Sequence, residues 1–149
     1  MDRAELKERI VTEAGDAVVF ADAEGSIRLW NAGAEDVFGY DAADALGSSL
    51  DLIIPERFRE RHWEGFEAAM DAGETSYERG ELLAVPAVRE DDERISIEFT
   101  VALVSDSDGE IEGVAAIVRD VTERWEREQE REARIEELEE RVAKLEDDD

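Results

Sequence analysis

Apolar residues recur along this chain at two different spacings, and the two spacings predict its elements. Asp16–Asp22 (DAVVFAD) is an apolar run suited to a strand. The turn Glu24-Gly25-Ser26 links it to Ile27–Trp30 (IRLW), so the pair reads as a hairpin. Arg94–Val104 (RISIEFTVALV) alternates most strongly, with Ile95, Ile97, Phe99, Val101 and Leu103 facing one way. The turn Asp106–Gly109 (DSDG) returns it into Ile111–Val118 (IEGVAAIV). Tyr77–Arg89 reads as a further strand, at an edge or bulge, because Pro86 has no N–H for a ladder.

Helical spacing appears elsewhere. Met1–Ala14 places Leu6, Ile10 and Val11 near one face. Asn31 opens a short helix (NAGAEDVFGY) that Gly39 ends, and Asp41–Leu46 is a helical turn closed by Gly47. Pro55–Gly73 (PERFRERHWEGFEAAMDAG) is amphipathic, with Gly73 as a left-handed cap. From Val121 onward the chain is charged and helical. Ile135, Leu138, Val142 and Leu145 have a/d spacing there, while Arg124, Glu128 and Arg131 occupy the preceding a/d positions, so only two good heptads exist. Two strands, short helices, one longer helix and three strands make an α+β fold with an antiparallel sheet. Helices crowd one face of that sheet and leave a pocket between.

The single histidine, His62, falls in the Pro55–Gly73 helix, on a stripe with Phe58, Gly65, Phe66 and Ala69. An inward imidazole among apolar residues is either a packed core residue or a ligand for something bound inside. Arg57, Arg59 and Arg61 cluster around it, although Arg57–Glu60 and Arg61–Glu64 also have the i,i+3 spacing of ordinary helix pairs.

Composition narrows the function. The 149 residues suffice for one core plus an extension. The absence of cysteine removes disulfides, thiolate metal sites, cysteine nucleophiles and thioether-linked cofactors. No apolar run is long enough to span a membrane and the charged N-terminus resembles no leader, so a cytoplasmic location is expected. The formal net charge is −26, with 43 acidic residues against 17 basic ones, only two of them lysine. Acidity of this kind is either a generally solvated surface or the mark of a protein working in molar salt, where self-repulsion is screened. Nucleic-acid and anionic-membrane binding are not expected, because both need basic footprints.

No catalytic motif is present: Asp91-Asp92-Glu93 reads as a solvated turn, and Asp106, Asp108 and Glu110 lack a full calcium loop. The chain is not expected to be an enzyme, since a kinase, cyclase or helix-turn-helix output would need more chain. Trp63 and Trp125, beside charged residues, read as partly buried anchors at the domain surface or a dimer interface.

Taken in order, AVVFADAEGSIRLW, Asn31, AEDVFGY, Ala45-Leu46-Gly47, Ile54-Pro55, the His62 helix ending at Ala72-Gly73, Arg94–Phe99 and the closing Arg119-Asp120-Val121-Thr122 resemble a PAS domain. PAS domains are small sensory modules of signalling proteins, and the resemblance covers roughly Ala14–Thr122. It implies a flanking helix over 1–13, the PAS domain over 14–122, and a charged helix with a short coiled-coil pattern and acidic tail over 123–149. Asp120, Val121 and Thr122 would hand a signal to that helix.

Within the family, Pro55, Arg61, His62 and Gly73 resemble the pattern of haem-binding PAS oxygen sensors. The resemblance implies haem b with His62 as iron ligand, Arg57 and Arg61 for the propionates, and Phe66, Leu82, Ile97, Phe99 and Ile117 in the apolar wall. Those relatives carry a polar or Met residue on the following strand to contact gas. Here Gly80 and Leu82 stand nearest, flanked by Arg79 and Glu81, which puts oxygen discrimination in question. Trp30-Asn31 resembles the junction of flavin-binding relatives too, so FAD is a further alternative, although a flavin–cysteine adduct is excluded. The implied partners are a second copy of the chain and a separate kinase or regulator. The alternative to a sensor is a cofactor-free PAS module for dimerisation or docking.

Overall fold

The computed structural model describes residues 1–147. Its elements run α1 (Arg3–Glu13), β1 (Ala17–Asp22), β2 (Ile27–Trp30), α2 (Ala32–Phe38), α3 (Ala42–Ala45), two 3₁₀ turns (Leu50–Ile53 and Glu56–Phe58), α4 (Arg59–Ala72), β3 (Leu83–Val88), β4 (Arg94–Ser105), β5 (Ile111–Asp120) and α5 (Thr122–Asp147). The last two residues of the acidic tail, 148–149, lie outside the described residues.

All five strands pair antiparallel in the order β2-β1-β5-β4-β3. Alternation sorts their side chains. Ala17, Val19 and Ala21 of β1, Ile95 and Ile97 of β4, Val118 of β5 and Ala87 of β3 are buried on the helix-covered face, where Ile27, Ala34, Phe38, Leu50 and Phe66 join them in one core. Residues one step away point to the other face. The α+β fold with its antiparallel sheet agrees with the pattern of alternation in the sequence.

One strand is shorter than expected. The stretch read as a strand over Tyr77–Arg89 is extended only from Leu83. The residues before it form turns: Tyr77 N–H donates to Thr75 Oγ1 at 3.1 Å, Glu81 N–H reaches Glu78 O at 3.0 Å, and Gly80 takes φ +78°. Pro86 sits on the outermost strand, β3, where a missing donor costs least.

Asn31 is a buried polar residue of this core and its junction. Its Oδ1 accepts from Val18 N (2.8 Å) and Ala34 N (2.9 Å), capping α2. Its Nδ2 donates to Val11 O (2.8 Å), Asp16 O (3.0 Å) and, at longer range, Ala14 O (3.4 Å). One amide thereby ties the end of α1 to β1 and α2. Trp30 fills the core beside Phe38, its Nε1–H donating to Tyr40 O at 2.9 Å.

Candidate functional site

Helix α4 is held by its first turns. Arg59 donates to Ile54 O (3.1 Å) and Asp51 O (3.2 Å), and Trp63 Nε1–H donates to Asp51 Oδ1 at 2.7 Å. The Trp63 ring lies over Gly25 in the β1–β2 turn so closely that a Cβ there would come within 2.3 Å of it. The helix thus docks on the 3₁₀ turn and the hairpin tip and meets the strands sparingly. Phe66 alone among its residues is buried.

His62 stands between these anchors. Its ring is 4.7 Å from that of Trp63, edge-on at 77°, and 6.0 Å from that of Phe66. Its Nδ1 is buried and makes no hydrogen bond. Loss of hydration pushes the imidazole pKa below its ordinary 6.5, and the nearby Asp51 carboxylate pulls weakly the other way. The ring is therefore neutral at pH 7, the form in which imidazole binds a metal.

The stripe read from the sequence needs rotating. Gly65 is exposed, and the inward face of α4 runs through His62, Trp63, Phe66 and Met70. Trp63 belongs to this inward face, and its i,i+3,i+7 relation to Phe66 and Met70 carries that signal in the sequence. Asp51 and Gly25 had no local signal at all, since each matters only through its contact with Trp63.

Not all the residues assigned to a pocket come together. Phe66 and Ile97 are buried in the same core, and Phe99 packs against it. Leu82 is 60 % exposed, in the turn segment before β3. Ile117 is 52 % exposed, and this is a correction forced by alternation: Ala116 and Val118 face the helices, so Ile117 faces away. Arg57 stacks on the Phe58 ring at 4.6 Å, and Arg61 is exposed. Measured against a haem site, the donor fits, because His62 offers a neutral imidazole with an unpartnered nitrogen, and Phe66 fits as an apolar neighbour, its ring 6.0 Å away, while Ile97 and Phe99 belong to the core that Phe66 joins. Leu82 and Ile117 do not belong to that wall. The Asn31 amide has both its acceptor sites and its donors engaged, which leaves it none for a flavin.

The closing segment joins the sheet to α5. Val121 N–H donates to Ser96 O at 2.8 Å, and Thr122 Oγ1 accepts from Ser96 N at 2.9 Å. Asp120 Oδ1 accepts from Thr122 N at 2.9 Å, and Arg124 pairs with Glu98 of β4. The first turn of α5 is thereby bolted to the strand that carries Ile95 and Ile97 into the core.

A family model described as the PAS fold matches residues 11–126. The chain belongs to the PAS family. PAS domains are sensory modules of signal transduction, and relatives and solved structures agree with the assignment. An uncharacterized protein of Azorhizobium caulinodans is 34 % identical over 110 residues, which cover 73 % of this chain and 15 % of that protein. Sensor protein FixL of Bradyrhizobium diazoefficiens is 36 % identical over 47 residues, 32 % of this chain and 9 % of that protein. The chain therefore spans less than a sixth of the length of either curated relative. The crystal structure of the PAS domain of a Colwellia psychrerythraea protein has the same fold, with a TM-score of 0.69 and 21 % identity over 82 % of this chain and 99 % of that one. Among the described residues of this PAS domain, no helix is long and apolar enough to cross a membrane.

Proposed function

We propose that this PAS domain is the sensory element of a larger signalling protein, and that a change around His62 is passed through β4 to α5. The observation that carries the reading is the junction at Ser96. Its two neighbours in β4, Ile95 and Ile97, are buried in the core, while its own N–H and C=O hold Thr122 and Val121. A shift of β4 in the core therefore moves the root of α5. Any ligand that drives this must bind one arrangement better than the other.

The group we assign to the site is haem b, with His62 as iron ligand, Phe66, Ile97 and Phe99 on the apolar side, and Arg57 and Arg61 at the rim for the propionates. Its support is the buried, unpartnered Nδ1 and the depressed imidazole pKa. When bound, haem supplies an iron centre that takes a gas or changes redox state. The chain's own part is to keep His62 neutral and to hold α4 on Asp51. The similarity to FixL, a sensor protein, supports this reading.

A second reading is a cofactor-free module that pairs with another copy of the chain or docks a separate kinase or regulator. The exposed positions of Leu82 and Ile117 favour it, since they remove two members of the apolar wall. Haem titration into the purified protein separates the two. A Soret band that wild type develops and His62→Ala does not supports haem. No band with wild type, or an equal band with His62→Ala, leaves the cofactor-free module.

A further inference from the structure

We infer that α1 is a detachable helix whose release reaches the root of α5 through the Asp16–Arg119 pair, an input separate from the His62 site. The inference goes beyond the reading above and holds whatever His62 binds.

Helix α1 is poised between docked and free. Its 11 residues are too few to stand as a helix alone in water, and none of them is buried. Leu6 and Ile10 are 49 % and 61 % exposed, and the helix packs mainly on α2. Two capping contacts hold it. At its start, Asp2 Oδ1 accepts from Glu5 N at 2.8 Å. At its end, the Val11 carbonyl, which belongs to the last turn and has no partner inside the helix, accepts from Asn31 Nδ2 at 2.8 Å.

Asn31 is built to let the helix go. Its Nδ2 carries two protons and has three carbonyls around it: Val11 O at 2.8 Å, Asp16 O at 3.0 Å and Ala14 O at 3.4 Å. With α1 docked, Val11 and Asp16 take both protons and Ala14 is the spare. When α1 leaves, Ala14 O takes the vacated proton, so no buried donor is stranded. The exchange requires Ala14 O to close to ordinary hydrogen-bond length, about 2.9 Å. The Asp16 carbonyl already lies against Gly33, with no room there for a Cβ. The connector therefore cannot move inward as a block, and the shift turns Asp16.

Asp16 passes that turn to the other end of the chain. It stands opposite Arg119, one step beyond the ladder pair Ala17–Val118. Its carboxylate accepts from Arg119 Nε at 3.3 Å and Nη2 at 3.1 Å, a two-pronged contact that fixes direction as well as distance. Arg119 directly precedes Asp120 and Val121. Asp120 Oδ1 caps α5 by accepting from Thr122 N, and Val121 N–H donates to Ser96 O. The end of α1 and the start of α5 thus lie side by side on adjacent strands, joined by this ion pair. Both its side chains are well exposed, so it contributes little to global stability and can be cut without unfolding the domain. Its role is coupling between the two helices.

Amide exchange in the 149-residue chain, without added haem, tests this. Lys7→Gly with Glu8→Gly weakens α1 at two exposed positions that make none of the contacts above. Val121 and Trp125, whose N–H groups donate to Ser96 O and Val121 O, should then exchange about two- to fivefold faster, the range an exposed ion pair can transmit. In an Arg119→Gln or Asp16→Asn background the same glycine pair should leave both amides unchanged. The charge swap Asp16→Arg with Arg119→Asp should restore the response, and about 2 M KCl should shrink it in wild type by screening the pair. No quickening with the glycine pair alone, equal quickening in the Arg119→Gln background, or equal quickening throughout the sheet overturns the inference. These substitutions leave His62 and its neighbours in place, so this outcome and that of the haem titration are independent.

Discussion

The backbone N–H of Ser96 donates to the hydroxyl of Thr122 at 2.9 Å, and this bond joins the middle of the sheet to the root of α5. Thr122→Val keeps the shape and removes the acceptor. The Ser96 amide then loses its partner, at a cost of about 1–2 kcal/mol. Hydrogen exchange should quicken at Ser96 and in the first turn of α5 while β1 and β2 keep their protection. Uniform quickening across the sheet would show that the bond serves global stability and not coupling.

Gly25 and Trp63 make the second joint. Gly25 has φ +84°, and its Cα faces the indole with no room for a methyl group. Gly25→Ala combines left-handed strain with a clash against a ring that Asp51 holds by a 2.7 Å hydrogen bond. A loss of about 2–3 kcal/mol is expected in denaturant unfolding, together with a shifted Trp emission. Wild-type stability in Gly25→Ala would mean that α4 does not rest on this turn.

His62 makes stability depend on pH in a defined direction. Its folded pKa lies below 6.5, so the unfolded chain takes up the proton first as pH falls. Stability is full above about pH 6.5 and declines as pH drops from there toward the folded value. Asp51, the carboxylate facing the ring, limits the size of the shift. Thermal unfolding of wild type and His62→Phe between pH 7.5 and the onset of carboxylate titration should differ in slope, wild type losing more. Identical slopes would contradict the buried, neutral imidazole.

Salt should stabilise the domain. Every ion pair among the described residues has at least one well-exposed partner, as in Arg28–Asp22, Arg119–Asp16 and Arg127–Glu123, and such pairs contribute little. The repulsion of a −26 chain is long-ranged and is relieved by screening. The melting temperature should rise by about 5 °C or more from about 0.1 M to about 2 M KCl. A flat profile would place the acidity among ordinary solvated surfaces.

The sequence by itself determined the elements whose cause is local. Alternation from Ile95 to Leu103 placed a strand, Asn31 and Gly39 bounded α2, and Gly73 stopped α4, because a pleat, a cap and a left-handed residue act within a few positions of themselves. The spacing of Ile135, Leu138, Val142 and Leu145 was equally legible. Tertiary structure alone decided what each face meets. Ile117 looked like a wall residue until its register opposite Thr100 and Val18 turned it outward, because a one-residue step in a strand reverses the side chain. Tyr77–Leu82 reads as the start of a strand that continues to Arg89 but folds into turns around Gly80. Trp63 took its role from Gly25 and Asp51, 38 and 12 positions away, and His62 took its neutral state from the apolar neighbours that this docking assembles. Contacts between distant segments form only when the whole core closes, and no local pattern encodes them.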